Sequence, residues 1–162
     1  MRYFCMVGMH DVGFDRLIRA LDEFAGRHPG NEVTMQIGST RYRPRYAAWF
    51  DFKTELEPEI ERADIVVTHG SMCLFDALRL GKRLVVAPRL AAHGEVINDH
   101  QVKFSGNIAR RYGFPVLLDL TDLDRVLLQV EAAPPPSPIR FGETGLYRAL
   151  GSYLDGIASG SR

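Results

Sequence analysis

Three short stretches carry most of the side chains that could do chemistry. They are 8–13, 68–72 and 89–101, and together they hold four of the five histidines. In Thr68-His69-Gly70-Ser71-Met72 a turn of small residues runs into the start of a helix. A helix start exposes unpaired N–H groups and a partial positive charge, which suit a phosphate. A plain strand-to-helix turn with Ser71 as N-cap fits the same residues. Neither the glycine spacing of GxGxxG nor the GK[ST] ending of a P-loop is present. Asp76 follows among Leu74, Phe75, Ala77 and Leu78. It either accepts hydrogen bonds from ribose hydroxyls or is a solvated helix carboxylate.

The stretch from Pro88 to Gln101 is the densest polar segment between two regular elements. Loops longer than the usual ~2–6 residues of α/β units are more often functional. Glu95 and Gln101 could bond sugar hydroxyls, while Arg89 and His93 could face an anion. Asp99, His100 and Gln101 fall in the first turn of a helix, with Asn98 and Gln101 spaced as a capping box. His10 in the first loop is a candidate base or phosphate partner, or merely an exposed histidine. Arg41, Arg43 and Arg45 interleave with Tyr42 and Tyr46. That pattern fits a docking surface or a contact with acidic headgroups better than RNA.

The elements that must position these residues alternate in type. Apolar runs at 3–7, 33–37, 65–67, 84–87 and 116–118 read as buried strands, with 48–52 as a short further candidate. Phe14, Leu17, Ile18, Leu21, Phe24 and Ala25 repeat at helical spacing up to the stop His28-Pro29-Gly30. Helices are also expected over 55–62, 72–80, 98–112 and 122–132. Alternating strands and helices predict an α/β fold, a mostly parallel sheet with helices on both faces. Ligands of such sheets sit at the carboxyl ends of the strands, where all three polar loops begin. Residues 1–133 form one domain, 134–138 (Pro-Pro-Pro-Ser-Pro) a stiff linker, and 139–162 a C-terminal amphipathic segment.

Composition narrows the function classes. Twenty basic and twenty acidic side chains cancel, which excludes a bulk electrostatic nucleic-acid binder. Cys5 and Cys73 form no CxxC, and no Cys/His cluster has zinc spacing. Two buried thiols in a reducing cytosol are expected. The first apolar run is too short for a signal or spanning segment, so a soluble intracellular protein is expected.

Four segments carry a family resemblance. They are Val7-Gly8-Met9-His10 leading to Phe14-Asp15-Arg16-Leu17-Ile18, then Gln36-Ile37-Gly38, then Ala63-Asp64-Ile65-Val66-Val67-Thr68-His69-Gly70, and Gly94-Glu95-Val96-Ile97-Asn98-Asp99-His100-Gln101. In this order they resemble the C-terminal half of family 28 glycosyltransferases. More narrowly, they are similar to the small subunits of two-part bacterial exopolysaccharide glycosyltransferases (PssE-like, EpsF-like). The resemblance implies a Rossmann-like, half-size GT-B fold that binds a nucleotide-sugar donor. UDP-glucuronate or UDP-glucose is the implied donor, and a lipid-linked saccharide the acceptor. The same resemblance implies a membrane-associated partner subunit that would supply the acceptor side and recruit a cytoplasmic chain to the inner face of the plasma membrane. No metal and no cofactor are implied.

The implied donor site comprises Gly8, His69, Gly70, Ser71 and Met72 toward the diphosphate and Asp76 toward the ribose. Arg89, His93 and Glu95 join it from the long loop, with Asp99, His100 and Gln101 toward the sugar. His10 is the candidate catalytic base, with a side chain of the partner as the alternative. The sequence departs from the family pattern in two places. Gly70-Ser71-Met72-Cys73 stands where a Gly-Gly-x-Gly-Ser turn is usual, and Asp76 where glutamate is common. A non-catalytic nucleotide-binding or scaffold subunit is the competing expectation.

Overall fold

Five apolar runs pair side by side in a computed structural model that describes residues 1–139. The C-terminal amphipathic segment expected from the sequence therefore lies outside the described residues, apart from Ile139. The strands are β1 (Arg2–Met6), β2 (Glu32–Gln36), β3 (Ala48–Phe50), β4 (Ile65–Thr68) and β5 (Arg83–Val86). All pairings are parallel, and the spatial order is β3-β2-β1-β4-β5. The helices are α1 (Asp15–Arg27), α2 (Glu57–Arg62), α3 (Leu74–Arg79), α4 (His100–Tyr112) and α5 (Leu123–Ala132). Short 3-10 turns occupy Ala91–His93 and Leu120–Asp122.

Side chains of a strand alternate between faces, so each central strand feeds two cores. Tyr3, Cys5 and Val7 join Leu17, Ile18, Leu21 and Phe24 of α1 and Val126 and Leu127 of α5. Phe4 and Met6 join Ile60 of α2 and Leu74, Ala77 and Leu78 of α3 on the other face, with Phe104 and Ile108 of α4 packed alongside. Burial on both faces explains the unbroken apolar runs. The sheet and its two helical layers match the α/β expectation.

Three local expectations are corrected. Residues 116–118 form no strand. Val116 makes a single parallel bridge to Val86, held by Val86 N–H to Pro115 O at 3.0 Å and Leu117 N–H to Val86 O at 2.8 Å. Pro115 has no N–H to extend the ladder, and Asp119 turns the chain away by accepting the Thr121 N–H. Ala48–Phe50 is the fifth strand instead. The capping box at Asn98 and Gln101 does not form either. The Asn98 Oδ1 accepts the His100 N–H, while the Gln101 side chain turns inward to the Arg89 N–H, so α4 begins at His100. The helix expected over 72–80 is shorter, with Cys73 rather than Ser71 at its N-cap.

Candidate functional site

The strand order reverses between β1 and β4. From β1 the chain winds to β2 and β3 on one side, and from β4 to β5 on the other. A crevice outside the carboxyl ends opens at such a switch point. The loops that border it here begin at Gly8 and His69.

These two loops touch. Gly8 has φ +73°, and a Cβ there would lie 2.9 Å from His69 Cε1 and 3.2 Å from Nε2. Only glycine meets both demands, the left-handed backbone and the ring above it. Gln36, buried at the end of β2, fixes the loop from below. Its Oε1 accepts the N–H groups of Val7 and Gly8, both at 3.1 Å, and its Nε2 donates to Gly8 O at 3.0 Å. Thr68 Oγ1 donates to Met6 O at 2.9 Å, joining the two strand ends.

Helix α4 closes against the second loop. Gly70 packs on Ser105 and Gln101, and Gln101 Oε1 accepts the Arg89 N–H at 3.0 Å. Arg89 itself is 1% exposed. Its guanidinium donates to Val12 O and Gly13 O, each at 2.9 Å, and to Val7 O at 3.2 Å, and sits 4.7 Å over the Phe14 ring. The cation expected to face an anion is thus spent on main-chain carbonyls. Its field still acts locally. Burial, and then the Arg89 charge, lower His69 from 6.5 to about 4, so this ring is neutral at pH 7.

The exposed histidines differ in what they offer. His10 Nδ1 accepts the Val12 N–H at 3.1 Å, so the neutral ring carries its proton on Nε2. In this arrangement the exposed His10 offers a donor at Nε2 rather than a base. His100 Nδ1 lies 2.7 Å from Asn98 Oδ1 and donates to it, which leaves Nε2 with the lone pair. Asp99 Oδ1 accepts the Ala91 N–H at 2.8 Å and pins the 3-10 turn to the start of α4.

These contacts bring Gly8, His69, Gly70, Arg89 and Gln101 together at the switch point. Other expected residues lie to either side of it. Asp76 is exposed on α3 and, with Cys73, lines a cavity of 520 Å³ whose far wall is Thr54–Glu57. His93 lines a cavity of 580 Å³ on the opposite, α1 face with Asp11, Asp15, Arg16 and Arg41. Glu95 borders it but is 6% exposed and bound to Arg16 Nε and NH2, both at 3.0 Å, and to the Leu90 N–H. Ser71 is half-buried with its hydroxyl 3.2 Å from Cys73 Sγ. Met72 is 69% exposed, and Met9 at 73% and Ile97 at 99% join it as uncovered apolar side chains on the same edge.

Gln36, Arg16 and Ser105 were not among the site residues expected from the sequence. For Gln36 the signal was a lone amide inside the apolar run from Val33 to Ile37. Arg16 and Ser105 read as ordinary helix residues, because their partners lie 79 and 35 positions away. Among the described residues no group of three or more His, Cys, Asp or Glu is set to hold a metal ion. No helix among them is long and apolar enough to cross a membrane.

The family model of the glycosyltransferase family 28 C-terminal domain matches residues 8–136. No curated protein matches the chain. Several solved structures share its fold. The glycotransferase of kitacinnamycin superposes with a TM-score of 0.61 at 16% identity, over 82% of this chain and 35% of that one. The spinosyn rhamnosyltransferase SpnG complexed with thymidine diphosphate gives 0.58 at 20% identity, over 98% and 42%. MurG of Acinetobacter baumannii gives 0.57 at 12% identity, over 78% and 40%. The chain thus spans well under half the length of each of these proteins.

Proposed function

Because the chain belongs to the glycosyltransferase family 28 C-terminal domain family, we propose that it is the donor-binding half of a glycosyltransferase. In this reading the nucleotide-sugar lies across the Gly8–His69–Gly70 crest, its nucleoside toward the Asp76 cavity and its sugar toward Asp99–Gln101. The observation that carries the reading is the reversal of strand order between β1 and β4, at whose carboxyl edge the loops of Gly8 and His69 pack against each other.

The chemistry asked of this half is positioning and charge stabilisation of a departing diphosphate. The N–H groups at the start of α3, the His10 Nε2–H and the nearby positive charge of Arg89 support that role. His10 is the expected catalytic residue, and its geometry suits holding a phosphate or sugar oxygen. His100 Nε2 is the better placed proton acceptor on this chain, with a residue of a second subunit as the alternative base.

The sugar we propose is glucuronate or glucose on uridine diphosphate. The acceptor would be a lipid-linked saccharide of exopolysaccharide assembly, presented by a membrane-associated partner subunit. Support for a partner comes from Met9, Met72 and Ile97 left uncovered on the site edge. One observation favours the competing reading, a nucleotide-binding subunit without catalysis. The turn after β4 has a single glycine, and Ser105 already fills the space beside it. Calorimetry with UDP, UDP-glucose and UDP-glucuronate, followed by a transfer assay on membranes bearing the partner, separates the readings. Binding with transfer supports the enzyme, binding without transfer the competitor, and no binding removes both.

A further inference from the structure

The donor-site reading uses none of the arginine-tyrosine segment after β2, yet the fold holds that segment with unusual care. Asp22 of α1 is fully buried and accepts four hydrogen bonds from it. They come from the N–H groups of Arg45, Tyr46 and Ala47 at 2.9, 2.8 and 3.0 Å, and from the Tyr42 hydroxyl at 2.7 Å. Asp15 takes the Tyr42 N–H at 2.8 Å. Asp22 and Asp15 thus hold the segment by its main-chain N–H groups.

The side chains they leave outside are cationic and aromatic. Arg41, Arg43 and Arg45 are exposed, with Asp51 3.7 Å from Arg43 and Asp11 on the cavity that Arg41 lines. Tyr46, Trp49 and Phe52 are 67%, 40% and 56% exposed. They are the exposed large aromatics among the described residues, and all fall within seven positions. Phe50 turns to the opposite face and stacks on Phe4, so Trp49 points to the outer, α1 side of the edge strand β3. There the Arg43 guanidinium sits 5.2 Å over its ring.

We propose that this ridge is a contact surface for a bilayer containing anionic lipid. Arginines match phosphate oxygens in a fixed fork, and Tyr and Trp rings settle at the headgroup level, apolar body inward and polar tip outward. Clamping by Asp22 sets the ridge before binding, so little ordering entropy is lost on contact. RNA fits less well. Arg43 covers one face of Trp49 and Gly26 one face of Tyr46, which removes the open stacking platform that single strands need. The inference does not depend on donor binding.

Trp49 is the only tryptophan, so its fluorescence reports the contact directly. The test mixes the full chain with vesicles of phosphatidylcholine alone or with phosphatidylglycerol added. A blue shift and cosedimentation are expected with the anionic vesicles only, weakening as salt rises. Arg41→Ala and Arg45→Ala, whose side chains make no hydrogen bond among the described residues, should each weaken binding about fivefold. Arg110→Ala with Arg111→Ala, an exposed pair at the end of α4, should leave it unchanged. Free inorganic phosphate at matched ionic strength should not reverse the shift. Equal binding to both vesicle types, no shift with either, or equal loss from the α4 pair would overturn the proposal. So would release by inorganic phosphate.

Discussion

A Cβ on Gly70 would stand 2.0 Å from Ser105 Oγ, so the loop after β4 and the helix that carries Asp99, His100 and Gln101 meet at atomic contact. Among the described residues the Ser105 hydroxyl is buried there without a hydrogen-bond partner. Gly70→Ala should push the two elements apart, lowering stability by about 1–3 kcal/mol and weakening UDP binding. Ser105→Ala removes an unsatisfied hydroxyl and should be neutral or slightly stabilising. It should also recover part of the Gly70→Ala loss. Urea denaturation of the four proteins checks this, and additive losses would reject the contact.

Arg89 ties the first loop to the long loop. Its guanidinium serves three carbonyls of 7–13, and its own N–H is held by Gln101. Arg89→Met would leave three carbonyls without their donor, that of Val7 buried, and cost about 3 kcal/mol. Arg89→Lys keeps a cation but not the fork, so it should fall between the two. Hydrogen exchange should show faster opening of 8–13 in both variants. Unchanged exchange there would mean that Arg89 does not hold the loop.

His69 makes stability depend on pH. Its ring is lowered from 6.5 to about 4 by burial first and the Arg89 charge second. Between those values the unfolded chain binds a proton that the native one does not. Stability should therefore fall as pH drops from 6.5 toward 4, by about 3 kcal/mol in all. Denaturation at several pH values measures the slope, and His69→Gln should flatten it. An NMR titration of the His69 ring with a midpoint near 6.5 would refute this account.

The legible parts of the molecule were those fixed by local pattern. The unbroken run Tyr3–Val7 and the helical spacing from Phe14 to Ala25 announced a central strand and a helix packed on it. The three polar loops were likewise placed correctly at strand ends. What failed depended on distant partners. Arg89 looked free to bind an anion because nothing nearby in sequence shows that Val7, Val12 and Gly13 turn their carbonyls toward it. Gln101 looked like a capping residue, yet its amide answers a main-chain N–H twelve positions earlier. Val116–Leu118 has the composition of a strand, but one proline and one aspartate leave it a single bridge.

Arg16 and Glu95 connect α1 to the long loop by paired hydrogen bonds of 3.0 Å, with Arg16 also donating to Pro88 O and Leu118 O. Glu95 is nearly buried, so losing either partner leaves a charge with poor solvation. Each alanine variant should cost about 3 kcal/mol, and a double-mutant cycle should return a coupling near 2 kcal/mol. A coupling close to zero would show that the loop is held by Asp99 and the Ala91 N–H instead.

The two exposed histidines of the site should behave differently in catalysis. His10 gives its Nδ1 lone pair to the Val12 N–H, and His100 donates its Nδ1 proton to Asn98. A neutral His10 can donate from Nε2, and a neutral His100 can accept there. In a reconstituted transfer assay, His10→Gln keeps an amide donor and should mainly raise KM for the donor. His100→Gln offers no comparable base and should lower kcat by about 10²-fold or more. Asn98→Ala frees the His100 tautomer and should give a smaller loss of kcat. If His10→Gln rather than His100→Gln gives the large loss of kcat, the base is His10. The Val12 N–H must then let go of it when substrate binds.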